Sequence, residues 1–321
     1  MGRDQDWLYP AIAIAMGTVI CAAALQYMTG YPSLPRGRVS LTAALVIIAL
    51  TALFRFLRYL LSLWRAGEQH PSARIRKQFR PALLAFWPIA AGVVTLGTFL
   101  HAISFLKSMI PAVVPFWADA LFAATDRFIF VDPQAIAIAL QPALTGIGLF
   151  YGLWHAAHLG GILWVLHWRD GRKARHILSF MLTWSIGMFF AFAFSSMGPI
   201  FTGQYDPSVA PETTRKAAAF LWANYQADGA LLGGGISAFP SMHVAIAAWL
   251  AIVLKDRGLP WLGFAYLVGV FAGSVILGWH YVIDSVAGIA IALAADRLAL
   301  QWTNRAAQQE QAAALPMPAP N

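Results

Sequence analysis

The chain has 321 residues, of which 59% are hydrophobic and 11% charged, with a mean hydropathy of +0.63. This balance excludes an ordinary soluble domain and is typical of a membrane protein. A net charge of +8 would fit nucleic-acid binding, but the basic residues fall in short connections between apolar runs, so we reject that function.

Apolar runs of about 20 residues, the length that crosses a hydrocarbon core, recur along the whole chain. They predict an all-α, polytopic integral membrane protein with about eight transmembrane helices. The first run is too long for the core of a signal peptide, so we keep it as a span. The predicted spans are 8–28, 39–63, 82–105, 143–164, 177–197, 240–254, 259–277 and 281–300.

The charged connections predict the orientation of these spans. Residues 65–80, 167–176 and the turn before Pro260 are rich in lysine and arginine, so the positive-inside rule makes them cytoplasmic. Both termini are then cytoplasmic as well, and we expect the membrane to be a bacterial inner membrane. The connections left to face outward are 29–38, 106–142 and 198–239.

The spans divide the chain into three parts. Residues 1–81 would form two transmembrane helices and a basic cytoplasmic loop, and residues 82–300 a six-helix core with outer loops 106–142 and 198–239. Residues 301–321 lack apolar periodicity and predict a disordered cytoplasmic tail.

Two short segments at span ends carry the candidate chemistry, because ionisable residues are expensive to place in a membrane. In the first, Pro240 suits the opening turn of a helix, whose unpaired N–H groups can bind an anion, and His243 follows it. In the second, His280 and Asp284 share one helical face, so the carboxylate can hold the imidazole and leave Nε2 as a nucleophile. Both segments begin spans that descend from the outer face, so we expect the two histidines together there.

These residues resemble the signature motifs of a known family. Pro240-Ser241-x-His243 and His280-x3-Asp284 are similar to the P-S-G-H and S-R-x5-H-x3-D motifs of the type 2 phosphatidic acid phosphatase superfamily. The lipid phosphatases of that superfamily have a bundle of six membrane helices, so the resemblance implies a phosphatase-like core in the last six spans. It covers roughly residues 110–300.

The departures from these motifs remove the phosphate-binding cations of the superfamily. Met242 replaces the motif glycine and Gly273-Ser274 the serine-arginine pair. In the remaining motif, K-x6-R-P, Gly198 precedes the proline and Ala191 takes the lysine position. The F-P-S-x-H and H-Y-x-x-D patterns are closer to a variant branch similar to inositol phosphorylceramide synthases, and 126–133 resembles, more loosely, a stretch that precedes the core there.

The resemblance implies that His280 attacks phosphorus and becomes phosphohistidine, that His243 protonates the leaving oxygen, and that Asp284 orients His280. It further implies a membrane lipid phosphate as substrate, water or a lipid alcohol as acceptor, and neither cofactor nor metal. Other groups must then stabilise the charge of the transition state. The candidates are the backbone N–H groups and hydroxyl at Ser241 and the outer-loop cations Arg127, Arg215 and Lys216.

Two alternatives belong to other classes. The chain could be a non-catalytic lipid-binding membrane protein that keeps the fold without the cations. Alternatively, His155 and His158 in the fourth span, with His101 in the third, could ligate haem or a metal in a redox protein. Interhelical hydrogen bonding explains that histidine pair better.

Overall fold

The computed structural model describes residues 7–32, 37–129, 131–227 and 233–313. All regular structure in these ranges is helical, which confirms the predicted all-α fold. The α-helices are α1 (Leu8–Thr29), α2 (Gly37–Arg65), α3 (Pro71–Val113), α4 (Asp119–Phe128), α5 (Pro133–Ala139), α6 (Leu144–Gly152), α7 (Trp154–Leu166), α8 (Arg172–Ala193), α9 (Glu212–Gln226), α10 (Met242–Asp256), α11 (Pro260–Ile276) and α12 (Val282–Ala313).

Each predicted span has a helical counterpart. Within the described chain, five helical segments are long and apolar enough to cross a membrane, as expected of an integral membrane protein: α1, the part of α2 from Thr42, α3, residues 141–166 and α8. The fourth span is interrupted at Leu153, where α6 gives way to α7. Helices α10 and α11 are shorter, with 15 and 17 residues.

Two helices extend beyond the apolar runs that predicted them, and the division of the chain into three parts stays a prediction. Helix α3 has 43 residues, so the boundary at residue 81 and the start of the outer loop at 106 both fall inside it. Helix α12 continues to Ala313 through an alanine- and glutamine-rich stretch that we expected to be disordered. Such residues favour helix without needing an apolar face. Residues 314–321 of the predicted tail lie outside the described residues.

Helix α10 lies inside the bundle, in contact with α7, α8, α11 and α12. Residues 244–249 are buried almost completely, and the Trp249 indole N–H donates to the His176 carbonyl oxygen of α8 at 3.0 Å. Helix α1 packs against α3 and α8, and α2 packs against α3. The histidine at the start of α10 is therefore held by a helix that packs against four others.

The two ends of the bundle differ in charge. One end carries the starts of α10 and α12 with the candidate histidines. At the other end, the Arg175 guanidinium binds both Asp296 carboxylate oxygens, at 2.8 and 2.6 Å, and Asp256 Oδ2 at 3.0 Å. The basic beginnings of α3 and α8 adjoin the helix ends opposite the histidines, with Arg74, Arg76, Lys77 and Arg80 in α3 and Arg172, Lys173 and Arg175 in α8. Ion pairs thus fasten α8, α10 and α12 together at the end we predict to be cytoplasmic.

Candidate active site

The starts of α10 and α12 are joined by hydrogen bonds that bring the two motifs together. Ser241 caps α10, because its hydroxyl oxygen accepts the Val244 N–H at 3.4 Å. The Ser241 N–H donates to the Asp284 carbonyl oxygen at 2.9 Å. As a result, the ring centroids of His243 and His280 lie 6.2 Å apart.

The His280 imidazole is held in one tautomer. Its Nδ1 atom lies 2.9 Å from the Ala238 carbonyl oxygen and 3.5 Å from Asp284 Oδ2. A carbonyl oxygen can only accept, so Nδ1 carries the proton and Nε2 keeps its lone pair. Sequence spacing predicts the contact with Asp284, but the shorter hydrogen bond goes to the Ala238 carbonyl oxygen. No sequence motif indicates that Ala238 binds the histidine.

Asp284 is completely buried and helps to shape the turn that carries His280. Its Oδ2 atom accepts the Tyr281 N–H at 2.9 Å, while Oδ1 accepts no hydrogen bond from the described residues. A buried carboxylate with few donors is stabilised by a nearby cation. Asp284 is therefore suited to stabilise a positively charged His280 ring.

His243 lies among aromatic rings. Its ring centroid is 4.8 Å from Tyr151, with the two rings stacked, and 4.1 Å from Trp154. Both partners belong to the interrupted fourth span, Tyr151 at the end of α6 and Trp154 at the start of α7. These rings pack against the imidazole, which is half-buried.

Two residues that depart from the superfamily motifs, Met242 and Ser274, make packing or hydrogen-bond contacts that support the site. Met242, at the motif glycine position, packs on Gly187 of α8, where a Cβ would collide with the methionine sulfur. Ser274 stands at the motif arginine position, and its carbonyl oxygen accepts the backbone N–H of His280 at 3.1 Å. The Ser274 hydroxyl lies 2.9 Å from the Ser285 hydroxyl. These positions support the backbone of the site without supplying charge.

Two aspartates of α4 fasten the outer loops to the His280 turn, which sequence reasoning did not predict. Asp119 accepts the Met197 and Gly198 N–H groups and the Tyr281 hydroxyl, at distances of 2.9 to 3.1 Å. Asp126 accepts the N–H of Val282, the first residue of α12, at 3.0 Å. The sequence offered one signal, which is that both acids fall in an otherwise apolar stretch.

Burial raises the pKa of Asp126 from 3.8 to about 6; the Val282 N–H opposes this shift and the Asp284 charge adds to it. Because the folded state disfavours the ionised form, stability falls as the pH rises from about 4 to about 6. We expect Asp126→Asn, which keeps the acceptor, to raise the melting temperature by a few degrees near pH 8. This gain should shrink towards pH 4 in thermal unfolding of the purified protein. A gain that is equal at both pH values would contradict the assignment.

The three outer-loop cations are exposed, and Arg215 and Lys216 have partners that are close in sequence. Arg215 donates to the Ala210 carbonyl oxygen at 3.1 Å, and Lys216 pairs with Glu212 at 2.6 Å. The Arg127 side chain is exposed on α4. None of the recorded contacts among the described residues joins these cations to either histidine.

His155 and His158 lie beside the site. The interhelical hydrogen bonds that we predicted for them are not seen among the described residues. The His158 ring stacks on Trp154 and Phe180, and His155 is 6.0 Å from His243 between ring centroids. Among the described residues, the one hydrogen bond of the pair runs from His155 Nδ1 to the Gly152 carbonyl oxygen. Across the described ranges, no group of three His, Cys, Asp or Glu residues is arranged to hold a metal ion.

Comparison with known proteins gives one match. A family model described as the PAP2 superfamily matches residues 121–298, more than half of the chain, from α4 to α12. The searches of curated proteins and of solved structures found no match. The matched region includes His243, His280 and Asp284, and it indicates a phosphatase-type enzyme that acts on a lipid phosphoester.

Proposed function

Because the chain belongs to the PAP2 superfamily, we propose that it transfers the phosphoryl group of a membrane lipid through a phosphohistidine formed on His280. One observation carries this proposal. The Nδ1–H of His280 donates to the Ala238 carbonyl oxygen, so Nε2 is free to attack, and the His243 ring lies 6.2 Å from the His280 ring between centroids. Attack and protonation need groups within about 3 Å of the reacting atoms, and a phosphoryl group between the two rings would meet that need.

In the first step, the Nε2 lone pair forms a bond to phosphorus and the bond to the leaving oxygen breaks. His243, protonated, gives its proton to that oxygen, so the lipid alcohol leaves neutral. The phosphate group brings the negative charge that favours a protonated His243. Asp284, 3.5 Å from His280 Nδ1, stabilises the positive charge on the phosphorylated ring.

In the second step, His243 takes a proton from the acceptor, whose oxygen attacks phosphorus as the bond to Nε2 breaks. Water as acceptor gives hydrolysis, and a lipid alcohol gives transfer. The F-P-S-x-H and H-Y-x-x-D patterns, which resemble inositol phosphorylceramide synthases, favour the lipid alcohol. The ion-paired, basic opposite end of the bundle supports an active site on the outer membrane face.

The fate of the phosphoryl group tests this function. Purified protein would receive phosphatidate or phosphatidylinositol labelled in the phosphate, with and without ceramide or diacylglycerol. We expect label to pass to the added acceptor. Label found only in water-soluble products, inorganic phosphate from phosphatidate or inositol phosphate from phosphatidylinositol, would replace transfer by hydrolysis. No turnover of any lipid phosphate would favour a non-catalytic lipid-binding protein.

A further inference from the structure

Lys107 lies in the outer part of α3, away from the other charges of that helix. The other basic residues of α3 all fall within its first ten positions, whereas Lys107 stands six residues before its end at Val113. An ammonium in an apolar membrane helix is costly and marks a functional position by default. The side chain is half-buried.

No carboxylate among the described residues forms an ion pair with Lys107. Helix α3 contains no aspartate or glutamate, and none of the ion pairs found among the described residues includes Lys107. A structural lysine at this depth would gain most of its stabilisation from a carboxylate. Lys107 therefore carries a charge that the folded protein leaves available to another anion.

The backbone around Lys107 is packed against the segment that leads into the active site. A Cβ on Gly235 would lie 2.7 Å from the Lys107 carbonyl carbon and the Ser108 nitrogen, so only glycine permits this approach. The Gly233 N–H donates to the Ser104 hydroxyl at 2.9 Å. Three residues after Gly235, the Ala238 carbonyl oxygen accepts the His280 Nδ1–H.

Lys107 is also an electrostatic neighbour of His243, together with His280 and His155. The ammonium thus acts near the place where the phosphoryl group would lie between the two rings.

Phosphoryl transfer needs a cation at this place. The superfamily's motif cations are absent here, since Ala191 and Ser274 stand at their positions, and the outer-loop Lys216 is paired with Glu212. Lysine binds phosphate oxygens as a compact point charge and stabilises charge that develops in the transition state. Lys107 also lies fourteen residues before the region matched by the family model, so no motif of that model supplies it.

We propose that Lys107 is the phosphate-binding cation of this active site and that its ammonium contacts the non-bridging oxygens of the phosphoryl group during transfer. This inference rests on the proposed function and deepens it. It gives α3, which precedes the matched region, a part in the chemistry. The ligand class is a phosphate monoester or diester of a lipid.

The test replaces Lys107 by methionine, which keeps the length and removes the charge. We expect kcat/KM for labelled lipid phosphate to fall by about 100-fold or more, with partial recovery in Lys107→Arg. The matched control is Lys255→Met, because Lys255 is exposed at the far end of α10, about 18 Å along the helix from His243. That variant should keep its activity within about two-fold of the unaltered protein.

Two further readouts separate phosphate binding from a structural role. Inhibition by orthovanadate, which imitates the five-coordinate transition state, should weaken in Lys107→Met by about the same factor as kcat/KM. The melting temperature should stay equal or rise, because an unpaired buried charge has been removed. Lower melting temperatures in both Lys107→Met and Lys107→Arg would overturn the proposal in favour of a structural lysine.

The failure of this inference is distinguishable from failure of the proposed function. If Lys107→Met keeps full turnover and vanadate inhibition while His280→Ala is inactive, Lys107 is not the cation and the phosphohistidine mechanism stands. If His280→Ala turns over lipid phosphate as fast as the unaltered protein, the proposed function itself fails.

Discussion

Replacing His280 by alanine is expected to abolish turnover, with kcat falling by more than about 10⁴-fold. The reason is that His280 supplies the only atom proposed to bond to phosphorus. The Ala238 carbonyl oxygen and Asp284 lie on the opposite side of the ring, at Nδ1. The measurement is release or transfer of labelled phosphate by protein of matched folding, judged by melting temperature.

His167→Ala provides the matched histidine control. His167 ends α7 near the basic end of the bundle, where its Nδ1 lies 2.7 Å from the Leu163 carbonyl oxygen. Its removal should cost a little stability and no activity. Retention of more than about one hundredth of the turnover by His280→Ala, at unchanged melting temperature, would exclude His280 as an obligatory nucleophile.

Replacing His243 by alanine should slow the reaction by about 10²- to 10⁴-fold, the usual contribution of a general acid and base. The loss should depend on the leaving group. A lipid alcohol needs a proton as it departs, whereas p-nitrophenolate leaves readily without one. The variant should therefore lose far more rate with lipid phosphate than with p-nitrophenyl phosphate. The measurement follows formation of phosphohistidine in the first turnover.

This comparison needs no second variant, since each protein serves as its own control across two substrates. A structural defect at the start of α10 would lower both rates equally. Equal losses would therefore contradict the role of His243 as an acid and would assign its effect to packing against Tyr151 and Trp154.

The sequence predicted the helical fold and the pairing of the two motifs for physical reasons that are local. Apolar runs long enough for a membrane become helices because the backbone must satisfy its own hydrogen bonds in lipid. His243 and His280 then meet because the helices that they begin run in the same direction and are adjacent in the bundle. The same reasoning missed the full length of α3, whose basic first ten residues are polar yet favour helix.

The finer parts of the site depend on contacts between distant segments, and no spacing rule reveals them. The Ala238 carbonyl oxygen binds His280 across 42 positions of sequence, and Asp126 caps the start of α12 across 156. The relation of His280 to Asp284 is predictable from spacing of four residues, although their 3.5 Å separation makes it a weaker contact than expected. The predicted outer loop 106–142 contains Lys107, which lies within α3 instead, and nothing in its spacing connects it with the histidines.

The most direct test of the central claim is to locate the covalent phosphoryl group. Unaltered protein and His243→Ala would be mixed with lipid phosphate labelled in the phosphate, quenched in alkaline detergent, digested and mapped by mass spectrometry. The mechanism predicts an acid-labile, alkali-stable phosphoramidate on His280. It should be most abundant in His243→Ala supplied with p-nitrophenyl phosphate, whose leaving group departs without a proton, because breakdown of the phosphoramidate needs a base. Absence of any phosphoenzyme in both proteins during active turnover, or label on another residue such as Ser241, would contradict it.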